Sequence, residues 1–157
     1  MDELVQAWTR ERADLDLAPV EVFSRISRLA RLLDKVRREA FLAHRIETWE
    51  FDVLAALRRA GRPYQLTPGA LLRETMVTSG TMTNRVDRLV TKGLVERSPD
   101  PGDRRGVLVR LTSAGKRSVD GAFETLLASE RDLLDGLAET DRTQLASLLK
   151  QLMAPLR

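Results

Sequence analysis

Ser79, Thr81, Thr83, Asn84 and Arg88 lie within one short stretch, and their side chains are of the types that read nucleic acid. Arginine and asparagine can bond bidentately to guanine and adenine edges, while serine and threonine offer hydroxyls to bases or phosphates. A solvated helix face would carry similar residues, so the stretch alone leaves both readings open. A second concentration, Asp103, Arg104 and Arg105, sits among turn-forming residues. Arginine on a narrow projection suits the enhanced negative potential of the minor groove, and Asp103 could orient it by a charge-assisted hydrogen bond. A turn tip kept soluble by its charges is the alternative.

Other chemistries lack their parts. Cysteine is absent, which removes disulfides, thiolate metal sites, nucleophilic thiols and thiol redox sensing. His44 is the sole histidine, leaving paired-histidine metal hydrolysis and Ser-His-Asp catalysis unsupported. Gly61, Gly69 and Gly80 form no phosphate-cradling motif, so no enzyme activity and no cofactor are expected. His44 itself reads as a capping or packing residue rather than a ligand.

These residues need elements to hold them. Met82, Val86, Leu89 and Val90 fall at i, i+4, i+7 and i+8, giving a helix with one apolar face that closes at Lys92-Gly93. With Met82 set at 0°, Asn84, Arg88 and Thr91 fall at about 200°, 240° and 180°, on the opposite side. Thr67-Pro68 supplies a capping hydroxyl before a first-turn proline, opening a short helix over 69–75, and a polar interval over 77–80 separates the two. Two runs, 94–98 and 106–111, flank the turn-rich segment 99–105 and read as a β-hairpin. Helix, tight turn, helix and hairpin is the order of a winged helix-turn-helix, whose second helix enters the major groove.

Amphipathic helices surround this unit. Val20, Phe23, Ile26, Leu29, Leu33, Val36 and Ala40 mark a long helix over 19–41. Its polar side carries Arg25, Arg28, Arg31, Lys35, Arg37 and Arg38, read as a solvated basic face with direct DNA contact as the alternative. Leu4, Val5 and Trp8 lie on an extra N-terminal helix, and Trp49 to Ala60 form another that stops at Gly61-Arg62-Pro63. From Thr112 a long helix and then a last one complete the chain. The fold class expected is mainly α with a small β-hairpin wing.

Length and charge agree with that reading. The chain has 157 residues, close to one domain, and a hydrophobic fraction of 43% that supports a packed core. With 26 Lys+Arg against 23 Asp+Glu the net charge is +3, which permits a nucleic-acid partner without requiring one. No apolar run reaches the length of a membrane span and the start carries no secretory signal, so a cytoplasmic location without membrane association is expected.

Asp103-Arg104-Arg105-Gly106, followed by Val109, Leu111-Thr112 and Gly115, resembles the wing signature of the MarR family of bacterial transcriptional regulators. The run Met82 to Leu89, followed by Lys92-Gly93-Leu94-Val95, is similar to that family's recognition helix and its exit. The resemblance spans essentially the whole chain and implies a homodimer, with 1–43 and 112–157 as a helical dimerisation region and 47–111 as the winged part. A twofold dimer would read a pseudo-palindrome. Periodicity alone fits a monomeric bundle equally well.

Trp8, Asp52, Arg85 and Arg97 resemble the four residues that mark the urate-responsive branch, whose members also carry an added N-terminal helix; related members respond to aconitate or citrate. The resemblance implies a pocket for a small organic anion, and two guanidiniums suit a carboxylate or planar oxyanion. Core packing of Trp8 and surface ion pairing of the other three is the alternative. The resemblance favours repression relieved by ligand, and a winged-helix protein-interaction module remains the competing function.

Overall fold

The computed structural model describes residues 2–156, without the side chains of Asp2, Arg104, Arg105 and Leu156. The chain divides into two compact units, one ending at Glu39 and the other starting at Ala40. The first unit holds α1 (Asp2–Glu11) and most of α2 (Ala18–Leu42). Between these helices Arg12 forks onto both Asp14 oxygens at 2.7 Å, and Asp16 Oδ1 accepts from the Ala18 N–H at 3.0 Å. That short carboxylate turn separates α1 from α2.

The second unit continues with α3 (Thr48–Arg59), β1 (Gln65–Leu66), α4 (Pro68–Thr75), α5 (Ser79–Thr91), β2 (Val95–Asp100), β3 (Asp103–Leu111), α6 (Ser113–Leu134), α7 (Glu139–Met153) and a closing 3₁₀ turn. The strands form one antiparallel sheet in the order β1-β3-β2. Its core joins Val53, Leu54 and Leu57 of α3, Leu71 of α4, Met82, Val86 and Leu89 of α5, Val109 of β3 and Val119 and Leu126 of α6. Burying such side chains contributes about 1.5–3 kcal/mol each.

The helix-turn-helix forms as its residues predict. Thr67 Oγ1 accepts from the Ala70 N–H at 3.2 Å with Pro68 in the first turn of α4. The helix ends at Met76, whose φ of 52° turns the chain toward α5. Gly93, at φ 68°, closes α5 in the left-handed region that glycine enters without steric cost. Thr112 then caps α6 by accepting from the Gly115 N–H at 3.0 Å while donating to the Gly93 carbonyl at 2.7 Å. One hydroxyl thereby ties the end of the wing to the end of α5.

The wing differs from expectation at its tip. Instead of a seven-residue loop over 99–105, Pro99 pairs with Val107 and Asp100 with Asp103, leaving Pro101-Gly102 as the turn. Pro99 is tolerated because β2 is an edge strand, where a missing N–H breaks no second ladder. A Cβ on Gly106 would come within 2.8 Å of the Asp100 Cβ and 3.1 Å of the Asp103 carbonyl oxygen, so the tight tip needs glycine there. β1, not anticipated, exists through pairing of Gln65 with Arg110 and Leu66 with Val109. Among the described residues no helix is long and apolar enough to cross a membrane.

Candidate nucleic-acid interface

α5 presents its polar face outward. Thr81, Asn84 and Arg88 are exposed while Met82, Val86 and Leu89 are buried, as the wheel requires, and Ser79 and Thr83 in the first turns are exposed as well. Val90, placed by the wheel in the domain-facing arc, is instead 38% exposed at its margin. Several hydroxyls are engaged locally: Thr83 donates to the Ser79 carbonyl at 3.2 Å, and the Thr78 and Thr81 hydroxyls pair at 2.9 Å. Each still has lone pairs to offer a donor.

Two shallow hollows open along this face. One, of about 480 Å³, is lined by Trp49, Gly80, Thr81, Asn84, Arg85 and Arg88. The other, of about 300 Å³, is lined by Asn84, Asp87, Arg88, Thr91 and Lys92. Asn84 and Arg88 border both, so the two side chains best suited to base edges share one exposed ridge.

The start of α3 meets this ridge. Arg88 Nη2 donates to Glu47 Oε1 at 2.9 Å, and its guanidinium carbon lies 4.7 Å from the centre of the Trp49 ring. The Trp49 indole N–H donates to Glu47 Oε2 at 2.7 Å, and Arg85 approaches the same ring at 5.4 Å. The indole hydrogen bond, opposed by slight burial and helped by the charges of Arg88 and Lys92, holds the Glu47 carboxyl below the usual carboxylate range. Glu50, fully buried, accepts from the Glu47 N–H at 2.9 Å and from Lys92 Nζ at 2.8 Å. Glu47 and Trp49 are neighbours of Arg88 that the sequence reading missed. Helical periodicity places Trp49 on an apolar stripe and says nothing about a partner 39 positions away.

The wing backbone carries Arg104 and Arg105 in β3 beside the turn, but their side chains lie outside the described residues. Asp103 opens the same strand opposite Asp100. The four residues that the resemblance assigns to an effector are spread over four elements. Trp8 is on α1 in the first unit, half-exposed. Asp52, exposed on α3, lines a hollow of about 270 Å³ with Phe51, Arg59, Glu74 and Met76 among its walls. Arg85 lines the Trp49 hollow, and Arg97 on β2 donates from Nη1 to Asp87 Oδ1 at 2.6 Å. The Asp52 hollow therefore includes neither arginine. His44 is a packing residue: its Nε2 lies 2.8 Å from Thr125 Oγ1, and Gly121 clears space for its ring.

A sequence model of the MarR family matches residues 46–106, the interval from the start of α3 to the wing. The HTH-type transcriptional regulator PecS of Dickeya dadantii is 37% identical over 149 residues, covering 95% of this chain and 90% of that protein. The chain belongs to the MarR family. Its MarR relative from Escherichia coli, the multiple antibiotic resistance protein, is 32% identical and covers 85% of this chain and 96% of that one. A mutant of that MarR, solved in complex with operator DNA, superposes with a TM-score of 0.72 at 30% identity, covering 87% of this chain and 96% of that chain. This MarR-family chain is a winged-helix transcriptional regulator and not an enzyme.

Proposed function

We propose that this MarR-family regulator is a homodimeric repressor that binds a pseudo-palindromic operator in double-stranded DNA and leaves it when a small organic anion, urate-like or aconitate- and citrate-like, binds. The observation that carries the DNA reading is the Asn84–Arg88 ridge of α5, exposed along one face and bordered by two hollows. Ser79, Thr81 and Thr83 meet phosphates or base edges beside it, and Arg104 and Arg105 of the wing, oriented by Asp103, reach the adjacent minor groove. Dimerisation through the terminal helices is supported by α7, which buries no residue and leaves Leu145, Leu148, Leu152 and Met153 exposed. Apolar side chains so placed favour a partner surface.

The assignment of Trp8, Asp52, Arg85 and Arg97 to the effector rests on the family resemblance, and the two arginines carry the proposed response. Arg85 stands on the recognition helix beside the reading ridge, and Arg97 holds Asp87 of the same helix. An anion that drew these guanidiniums toward itself would shift α5, and the state it stabilises would bind DNA less well. Gel-shift titration on DNA from upstream of the protein's own gene, with urate, aconitate or citrate added, tests this. Release by one anion, lost in Asp52→Asn and Arg85→Ala, is expected; release by none would discard the effector class, and no binding to any duplex would favour a protein-interaction module.

A further inference from the structure

Glu47 and Trp49 form a bracket around the side chain most suited to read a base. Arg88 is gripped at one Nη by the Glu47 carboxylate and faced by the Trp49 ring, while the indole N–H fixes the other Glu47 oxygen. Each contact limits a different freedom: the carboxylate engages one guanidinium edge, the ring limits where the guanidinium can lie, and the indole hydrogen bond holds the carboxylate. A guanidinium has five N–H donors, so one bond to Glu47 leaves others for a base edge. Glu47 also cancels, locally, the charge that Arg88 would present to a phosphate. Both bracket residues stand at the start of α3, 41 and 39 positions before Arg88, so this arrangement is a tertiary device and not a property of the helix.

We propose that Glu47, braced by Trp49, is a positioning residue for DNA specificity, which holds Arg88 ready for a base edge and withholds it from indiscriminate phosphate contact. The inference rests on the DNA-reading role of α5 given above. An arginine held in one orientation loses less conformational entropy on binding its correct partner, whereas an unpaired one gains as much from any phosphate. Removing the carboxylate thus raises affinity for any duplex and lowers discrimination between duplexes.

The test compares wild type, Glu47→Gln, Trp49→Phe and Arg88→Ala on DNA from upstream of the protein's own gene and on a scrambled duplex of equal length and composition, across a salt series. Glu47→Gln is expected to bind the scrambled duplex more tightly, to steepen its salt dependence by about one unit of log–log slope, and to lower the ratio of specific to scrambled affinity by about two- to ten-fold. Trp49→Phe, which keeps a ring but loses the N–H, should move the ratio in the same direction by less. Circular dichroism melts separate these effects from unfolding. If wild type discriminates and Glu47→Gln keeps the full ratio, or weakens both duplexes equally, the positioning role is overturned. If wild type and Arg88→Ala both fail to discriminate, the DNA-reading role of α5 itself fails.

Discussion

Arg97, on the first wing strand, donates to Asp87 on the recognition helix at 2.6 Å, so a residue assigned to the effector site directly holds the element assigned to DNA. Both side chains are about half-exposed, and such pairs contribute roughly 0.2–1 kcal/mol to stability. Asp87→Asn should therefore melt close to wild type. It should also free Arg97 for the anion, lowering the concentration that releases DNA by up to about five-fold. Gel-shift titration of effector against both proteins checks this, and an unchanged release curve would separate Arg97 from the response.

Lys92 and Glu50 make a more consequential pair. Lys92 Nζ lies 2.6 Å from Oε1 of a carboxylate with no solvent exposure. Lys92→Met keeps the side-chain volume but leaves Glu50 without its cation, and is expected to cost about 1–3 kcal/mol in chemical denaturation. Denaturation indistinguishable from wild type would mean that water replaces the ammonium.

Gly115 opens α6 against the end of the α5–β2 connection, where a Cβ would overlap the Leu94 carbonyl oxygen. That carbonyl belongs to the backbone and cannot rotate aside as a side chain would. Gly115→Ala should destabilise by about 1–3 kcal/mol or more, whereas Gly136→Ala, which meets nothing within 4 Å, should not destabilise through contact. Paired thermal melts decide.

Asp120 of α6 links stability to pH. Partial burial raises its pKa, but hydrogen bonds from Lys116 at 2.6 Å and Arg58 at 2.8 Å outweigh this and set it below the usual range. A depressed folded-state pKa stabilises above the unfolded value, about 3.9, and that contribution fades as pH falls through the folded value. Melts between pH 7 and pH 3 should show a smaller acid loss for Asp120→Asn than for wild type. Equal losses would assign the acid sensitivity to other carboxylates.

What the sequence made legible follows from the range of the interactions. The α5 register, the Thr67 and Thr112 caps and the Gly93 exit each depend on neighbours within a few residues, so spacing alone reveals them. β1 leaves no such trace, because two residues become a strand only by pairing with Arg110 and Val109. The wing tip is misjudged for a related reason: Pro99 and Asp100 look like loop residues until β3 pairs with them. In the candidate site, the exposed face of Asn84 and Arg88 is readable from the wheel, while the Glu47–Trp49 bracket depends on the fold bringing the start of α3 to Arg88.

Joint binding of DNA by α5 and the wing should show in the salt dependence of affinity. Binding of wild type and of the Arg104→Ala, Arg105→Ala double variant to DNA from upstream of the protein's own gene should be measured across a salt series. Wild type is expected to bind tightly and with strong salt sensitivity, and the double variant more weakly, with a log–log slope reduced by about one to two. Equal affinities and equal slopes for the two proteins would contradict it.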